Sequence, residues 1–411
     1  MNRTSIFSEN QQMAENLKNR HRVGRFWQII FIIAIIVGVV ALLSLLFNIV
    51  NGAFGYVIVE NRSDPEMLAS QPLEDLTQPE LADILRSHLS ANRLRAIELE
   101  QPLVERSQVD LYALVLERIV DPTIVESYTL TESLGRYREI AAYAREEYPS
   151  AEVVFRSWLN QYFMEGDSSR KAELAGIRTA LKGSLLLILV TISFAFPIGV
   201  SAAIYLEEIA DSKNKINKII QTNIDNLAGV PSIIYGILGL AIFVRTLAPI
   251  TSGAIFGTGG ESGRTILSAG LTLALLILPI IIINAQEAIR AVPNSLRQAS
   301  YGLGATQWQT IWNHVLPYAL PGILTGTILA MSRAFGETAP LIVVGASTMI
   351  TSDPSGPFSS FTAVPIQIYN WTMRPQEQFR NIAAAASIVL MISLLSLNAS
   401  AILLRNKFRR Q

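Results

Sequence analysis

The chain has 411 residues, of which half are hydrophobic and only 16% are charged, and its 33 basic and 33 acidic side chains cancel. Soluble domains carry about 25% charged residues, so this composition excludes an ordinary soluble protein. The absence of cysteine excludes disulfides and thiolate metal sites. The three histidines, His21, His88 and His314, are widely separated and form no zinc-binding motif, so we expect neither a metal nor a cofactor.

Apolar blocks are separated by polar stretches along the chain, and this pattern predicts membrane-spanning helices. A helix needs roughly 20 mostly apolar residues to cross the hydrocarbon layer. The first block is followed by no small-residue cleavage site, so we interpret it as a retained anchor and not as a signal peptide. The predicted spans are Phe26–Val50, Gly183–Leu206, Leu227–Leu247, Thr265–Gln286, Gly322–Ala346 and Ile382–Leu404.

Basic residues in the short connections predict the orientation, because they collect on the cytoplasmic side. One side holds Arg3, Lys18, Arg20, Arg22 and Arg25, then Lys213, Lys215 and Lys218, then Arg290 and Arg297, and finally Arg405, Lys407, Arg409 and Arg410. The short connections on the other side hold Arg264, Arg374 and Arg380, with Arg245 at a span end. Both termini, residues 1–25 and 406–411, are therefore expected in the cytoplasm.

A long polar segment, residues 51–181, separates the anchor at 26–50 from the remaining spans at 182–405. Apolar residues recur at helical spacing in stretches such as "ESLGRYREIAAYAREEY", which predicts a mostly helical extracytoplasmic domain. Its acidic side chains outnumber its basic ones. The acidic charge is interpreted mainly as a solvated surface, with docking of a basic partner as the alternative. The predicted fold is thus an all-α membrane protein with six spans and this large insertion.

The connection at residues 287–320 predicts a helix, a tight turn and a second helix. Two capping boxes, in which side chains bond the free N–H groups at a helix start, are expected at Ser295–Gln298 and Thr306–Gln309. Gly304 suits the left-handed residue that follows a helix end. Pro317 and Pro321 are expected to end the second helix and to lead into the membrane.

Two opposite charges, Arg333 and Glu337, lie inside the fifth predicted span. Each would cost about 2.5–3.5 kcal/mol at a membrane centre, and their i, i+4 spacing allows them to pair. Gly336 and Pro340 weaken the helix beside them, and Thr338 adds a hydroxyl. A guanidinium fits a tetrahedral oxyanion, so we expect Arg333 to contact a passing anion and Glu337 to position it. A purely structural ion pair is the alternative.

The second half of the chain, from about Gly183 to Arg405, resembles the permease subunits of ABC importers. The loop pattern of that family falls on Gln298, Ala299, Ser300, Gly304, Leu316 and Pro317. Two positions depart from it, because Gln298 replaces a glutamate and His314 stands where isoleucine is usual. The stretches "NLAGVPSIIYGILGL", "RAFGETAPL" and "FTAVPIQIYNW" make the resemblance specific to the PstA-type permeases of phosphate importers.

The resemblance implies that the chain is a transport subunit and not an enzyme. It implies a second homologous permease of the PstC type, two ATP-binding subunits of the PstB type and an extracytoplasmic phosphate-binding protein of the PstS type. Residues 287–320 would be the loop that couples to the ATPase. Membrane lipid and phosphate are the expected small partners, and no nucleic acid is expected. A permease for sulfate, molybdate or another oxyanion is the closest alternative; a membrane-anchored sensor or a membrane enzyme explains fewer of the features.

Overall fold

The computed structural model describes residues 3–409, apart from positions 70, 168, 170, 212, 258–261, 347–349, 351 and 352. The last two residues of the predicted tail therefore lie outside the described residues. The three strands are β1 (Phe54–Glu60), β2 (Thr123–Ser127) and β3 (Glu152–Ser157). The helices are α1 (Arg3–Ala53), α2 (Gln78–His88), α3 (Ala91–Glu100), α4 (Gln108–Val115), α5 (Leu130–Glu147), α6 (Gln161–Glu165), α7 (Arg178–Ile204), α8 (Lys215–Ala228), α9 (Ser232–Gly239), α10 (Ala248–Thr251), α11 (Ile266–Arg290), α12 (Asn294–Gly302), α13 (Gln307–Thr310), α14 (Leu316–Gly336), α15 (Ala339–Val344), α16 (Val364–Thr372) and α17 (Glu377–Arg409).

Within the described residues, five helical segments are long and apolar enough to cross a membrane. They overlap the first, second, fourth, fifth and sixth predicted spans. Two of them include a wider π turn, which follows α7 in one and precedes α14 in the other. The five segments are Arg20–Ala53, Arg178–Ile209, Ile266–Arg290, Gln307–Gly336 and Glu377–Lys407.

The third predicted span is not one helix. Its residues fall on α8 and on α9 with the π turn that follows, and these two pieces meet at an angle of 108°. The break lies at Gly229–Pro231, where Pro231 takes an extended ψ of 136° and begins α9. A proline cannot donate the next helical hydrogen bond, so the apolar run is interrupted although its composition suits a span. The predicted span over Leu227–Leu247 is therefore not one continuous helix, although the two pieces together are long and apolar enough to count as a sixth, broken span.

The long helix α11 is the centre of the membrane-type bundle, since most of its length is buried between α7 and α14. Small residues allow this close packing. A Cβ placed on Gly199 of α7 would lie 2.7 Å from a methyl group of Ile281 in α11, and one on Gly326 of α14 would lie 2.3 Å from Asn284. Close helix contacts through small residues are typical of membrane bundles.

The insertion between α1 and α7 is mostly helical, as predicted, but it also contains an antiparallel sheet in the order β2-β1-β3. The all-α prediction is wrong at this point. The strands are short, and the alternation in "GYVIVE" and "EVVFRS" is brief enough to be lost among the helical patterns. Helix α5 covers one sheet face, where Tyr137 packs on Tyr56 and Tyr56 packs edge-on against Phe155.

The insertion is packed tightly against the membrane-type bundle through a shared apolar core. Phe163 of α6 lies 6.1 Å from Trp371 of α16, measured between ring centroids. Ile124 of β2 is buried in the same cluster, and its carbonyl accepts a hydrogen bond from Gln378 at the start of α17. The insertion and the end of the bundle therefore share one hydrophobic core.

An ionic network at the start of α7 strengthens this contact. Arg178 donates to Asp167 at 2.6 Å and lies 3.3 Å from Asp353 and 3.8 Å from Asp110. The hydroxyl oxygen of Thr179 lies 3.2 Å from a carboxylate oxygen of Asp167 and 3.2 Å from one of Asp353, so the two carboxylates share its single O–H. Burial raises the pKa of Asp167. One guanidinium thus joins carboxylates from the insertion to a carboxylate from the loop before α16.

We predict that Arg178→Gln loosens the insertion. The change leaves three partly buried carboxylates without their common cation, which should cost about 2 kcal/mol. Thermal denaturation of the purified full chain and protease cleavage of the insertion would measure the effect. Arg138→Gln, at an exposed position of α5, is the matched control. Equal stability of the two variants would contradict a holding role for Arg178.

Candidate functional site

The fifth membrane-type helix stops beside the predicted charge pair. Helix α14 ends at Gly336, Glu337 takes an extended ψ of 131°, and α15 begins two residues later with Pro340 at its start. The N–H of Glu337 still donates to the carbonyl of Ala334 at 3.3 Å. Pro340 cannot donate to the carbonyl of Gly336, which explains why the helix does not continue. The helix is therefore interrupted at this point and not merely bent.

Arg333 and Glu337 remain close across this helix end, although Glu337 is no longer a helical residue. The Nε of Arg333 lies 3.4 Å from a carboxylate oxygen of Glu337. The Arg333 side chain is 47% exposed and the Glu337 side chain 16%. Leu329, one turn earlier on α14, is also exposed. The pair therefore lies on an open face of the chain, with the guanidinium outward and the carboxylate beneath it.

The two interrupted helices pack against each other next to this pair. A Cβ on Gly236 of α9 would lie 2.7 Å from the Cα of Pro340, so only glycine permits this approach of α9 to α15. The hydroxyl of Tyr235 donates to the carbonyl of Leu227 at 2.7 Å and so bridges the break between α8 and α9. Discontinuous helices that meet in this way are a recurring feature of substrate sites in transporters.

Of the other predicted residues here, Thr338 is half-buried in the break and its carbonyl accepts from Ile342 at 3.1 Å. Gly336 has open space where a Cβ would stand. The structure thus gathers Arg333, Gly336, Glu337, Thr338 and Pro340 at one break. The predicted residues of the 287–320 loop lie at the opposite end of α14 and do not join them.

That loop forms the predicted helix, turn and helix as α12, Gly304 and α13. Gly304 has a φ of +82°, and the N–H of Ala305 donates back to the carbonyl of Ser300, which caps the end of α12. The capping box of Thr306 and Gln309 is confirmed. The one at Ser295 and Gln298 is wrong, because α12 already begins at Asn294, directly after Pro293. Proline fixes the entry into this helix without a side-chain cap.

The expected helix end at Pro317 and Pro321 is also wrong. The helical segment runs without interruption from Gln307 to Gly336 through a π turn at Ile311–Val315. In this turn, the N–H of Leu316 donates to the carbonyl of Ile311, five residues back. The π turn thus widens the hydrogen bonding just before Pro317, and Pro321 lies inside α14 without ending it.

The loop holds its two helices together and exposes its tip. The hydroxyls of Ser300 and Thr310 are buried and lie 2.9 Å apart. Gln298 and Ala299 are exposed, and Leu303 in the turn is 90% exposed. The exposed rings of Trp308 and Trp312 stack 5.8 Å apart on the second helix. The tip is thus a rigid apolar surface with polar neighbours, suited to contact with another protein or with the membrane interface.

Two adjacent glutamates that the sequence analysis did not select attach this loop to the bundle. Glu207 and Glu208 lie in the π turn Tyr205–Ile209, which continues α7. Glu208 accepts a 2.6 Å bond from Arg297 of α12, and its backbone carbonyl accepts from Gln307. Glu207 pairs with Arg290 at the end of α11. In the sequence only the charges mark these residues, and Arg290 and Arg297 there indicate the orientation alone.

We predict that the two pairs differ in strength because they differ in burial. The Glu208 and Arg297 side chains are 8% and 16% exposed, whereas Arg290 is 66% exposed. Glu208→Gln should therefore cost about 3 kcal/mol by leaving a buried charge unpaired. Glu207→Gln should cost about 1 kcal/mol or less. Thermal denaturation of both variants tests this order. Equal losses of stability would show that burial does not determine the strength of the two pairs.

We predict that two glycines of the loop respond oppositely to the same change. Neither Gly302 nor Gly304 has an atom within 4 Å of an added Cβ, but only Gly304 has a positive φ. Gly304→Ala should therefore destabilise the turn by about 1 kcal/mol. Gly302→Ala should stabilise α12 by up to about 1 kcal/mol. Hydrogen exchange at Leu303–Ala305 measures both, and faster exchange in both variants would contradict the role assigned to the positive φ of Gly304.

Comparison with known proteins agrees with this geometry. The family described as "Binding-protein-dependent transport system inner membrane component" matches residues 178–410. The probable ABC transporter permease YqgI of Bacillus subtilis is 33% identical over 60% of this chain and 83% of its own length. The phosphate transport system permease PstA 1 of Mycobacterium tuberculosis H37Rv is 32% identical over 55% of this chain and 69% of its own.

Among solved structures, the chain is similar to a bacterial ABC transporter involved in alginate import, with 17% identity, a TM-score of 0.45 and coverage of 72% of this chain and 95% of that one. The membrane-type segments, the capped loop between α11 and α14 and the match over residues 178–410 lead to one conclusion. The chain belongs to the family of binding-protein-dependent ABC transporter permeases, the inner-membrane subunits that carry no catalytic activity of their own and work with ATPase subunits and a binding protein.

Proposed function

We propose that this chain is the permease subunit of an ATP-driven importer of inorganic phosphate. The observation that carries the proposal is the exposed Arg333 guanidinium, with Glu337 at its edge, on the break that ends α14. Phosphate permeases from several bacteria are similar to this chain at about one third identity, and this supports phosphate as the substrate class.

The chemistry of the pair suits an anion that must bind and leave. A guanidinium presents several N–H donors in a plane and matches the oxygens of a tetrahedral oxyanion. Its described contact with Glu337 uses Nε, and the side chain stays half exposed. The carboxylate lowers the net positive charge of the site, so the anion is attracted but not trapped. Thr338, in the same break, would offer a further hydroxyl.

The open position of Arg333 supports a shared pathway. In our proposal, a second homologous permease of the PstC type covers this face, and the anion passes between the two subunits. Two ATP-binding subunits of the PstB type and an extracytoplasmic phosphate-binding protein of the PstS type complete the importer. The chain lies in the inner membrane with both termini in the cytoplasm, and the insertion at residues 51–181 lies outside.

One continuous helix supports the coupling between ATP hydrolysis and transport. The tip residues of the loop, which include Gln298, Ala299 and Gly304, would sit on an ATP-binding subunit. The segment Gln307–Gly336 extends from that loop to the charge pair, about 45 Å at 1.5 Å per residue. Displacement of the loop by the ATPase would thus reach Arg333 directly. Ser300 of the loop and Leu316 and Pro317 of the helix belong to this connection.

We predict that phosphate uptake depends on the charge pair. Arg333→Gln removes the guanidinium and should lower uptake by about tenfold or more, which corresponds to about 1.4 kcal/mol of lost stabilisation. Arg333→Lys should retain part of the uptake, since an ammonium keeps the charge but not the planar donors. Glu337→Gln should change the half-saturating phosphate concentration. Uptake of radiolabelled phosphate into vesicles that contain the assembled importer measures all three.

Arg380→Gln, at an exposed arginine of α17, is the control for general loss of charge. Co-purification of the other subunits shows that each variant assembles. Unchanged transport in all three variants would leave the pair with a structural role only. Competition by sulfate or molybdate tests the substrate: if either displaces phosphate at equal concentration, the importer serves another oxyanion, the second candidate.

A further inference from the structure

The insertion contains a pocket with a volume of about 490 Å³, separate from the Arg333 site. It lies on the sheet face opposite α5. Val57, Val59 and Val154 form an apolar wall, with Val57 directly opposite Val154 in the register of β1 and β3. Pockets of 300–1,000 Å³ with an apolar lining and a few polar groups are typical of small-molecule sites.

One residue of the pocket lining, Arg156, has a buried nitrogen without a hydrogen-bond partner in the described part of the chain. Arg156 of β3 stacks over Trp158 at 4.7 Å, and its Nη2 donates to the carbonyl of Glu173 at 2.8 Å. Its Nε is buried and has no hydrogen-bond acceptor among the described residues. Burial lowers the pKa of Arg156, yet an arginine remains charged at neutral pH. A buried, charged donor of this kind is expected to bind an acceptor, and a carboxylate is the best match.

The same lining also carries negative charge. Glu74 accepts a 3.1 Å hydrogen bond from the hydroxyl of Tyr112, and Glu173 accepts one from the N–H of Ile124. Burial raises the pKa of Tyr112, which keeps this hydroxyl protonated and donating. Glu152 lies at the exposed rim. One cation and three carboxylates do not favour a simple anion, but they match a ligand with a charge of each sign.

We propose that this pocket binds a small zwitterion with an apolar body, of the class of apolar α-amino acids. Arg156 holds the ligand carboxylate. Glu74, which shares the lining and gives one oxygen to Tyr112, holds the ammonium group. The valine wall contacts the apolar side chain. The transporter would thereby carry a second ligand site on its insertion, independent of the transported anion.

Binding of radiolabelled phenylalanine to the purified full chain in nanodiscs tests the proposal. Two competitors separate the charges, because 3-phenylpropionate lacks the ammonium group and 2-phenylethylamine lacks the carboxylate. Phenylalanine should bind saturably, and each competitor should displace it about tenfold less well than unlabelled phenylalanine. Equal displacement by either competitor would overturn the zwitterion assignment, and absence of saturable binding would overturn the site.

Three variants locate the site. Arg156→Gln should weaken phenylalanine binding by about tenfold or more. Val154→Trp, at a residue 45% exposed, should fill the pocket and abolish binding while Arg156 keeps its contacts. Arg138→Gln, on α5 and therefore beyond the other sheet face, should bind as the wild type does. Binding that survives Val154→Trp would place the ligand elsewhere, even if Arg156→Gln fails to fold.

Competition with phosphate is the last experiment, and it separates this proposal from the proposed transport function. Phosphate at millimolar concentration should not displace phenylalanine, and Arg333→Gln should not change its binding. Displacement by phosphate would mean that Arg156 serves inorganic anions and that the zwitterion assignment is wrong. Loss of phenylalanine binding in Arg156→Gln with unchanged transport activity would support the second site, and this outcome does not depend on which ion is transported.

Discussion

The constraint on which the bundle depends is that backbone N–H and C=O groups must be paired inside an apolar environment. Two helices nevertheless break, at Gly229–Pro231 and at Glu337–Thr338. At each break, a nearby group makes a hydrogen bond to the backbone. The hydroxyl of Tyr235 bonds the carbonyl of Leu227, and the N–H of Glu337 bonds the carbonyl of Ala334. The close approach of Gly236 to Pro340 packs α9 against α15, the two helices that follow the breaks.

Packing also explains why the insertion cannot be regarded as a separate appendage. Its sheet begins directly after α1 and its last residues lead directly into α7. Phe163 and Ile124 share a buried core with Trp371, and Arg178 joins Asp167 of the insertion to Asp353 of the bundle. A ligand that orders the insertion would therefore act on the same core as α16 and α17. The second site, if occupied, is physically placed to influence the bundle.

The sequence predicted the features that depend on local order. Apolar length alone located the helices around α1, α7, α11 and α17, because a span must satisfy its own backbone. The Thr306 and Gln309 capping box and the left-handed Gly304 also follow from neighbours in the chain. The position of the Arg333 and Glu337 pair beside a break followed from Gly336 and Pro340, although the extent of the break did not.

Features that depend on distant contacts were not predictable. Pro231 precedes α9 at a helix break, whereas Pro317 and Pro321 lie inside one continuous helical segment, and no local pattern around these prolines separates the two cases. In the sequence, each of these stretches shows only a proline within an apolar run. The Glu208–Arg297 pair joins residues 89 positions apart, so no local pattern marks it. The three strands depend on pairing between distant segments, since Val57 pairs with Ser127 on one side and with Val154 on the other, and this pairing outweighs the helical preference of their surroundings.

The geometry also restricts where motion can occur during transport in the function we propose. The segment Gln307–Gly336 is one continuous helix, so a push on the loop reaches Arg333 as a rigid displacement. It cannot pass beyond Gly336, because the helix ends there and α15 is held against α9 by the Gly236–Pro340 contact. A displacement of α14 relative to α15 must therefore be absorbed by Glu337 and Thr338, which connect the two helices. In the function we propose, the Glu337 carboxylate would therefore move relative to the Arg333 guanidinium when the loop moves, and the affinity of Arg333 for the anion would change with it.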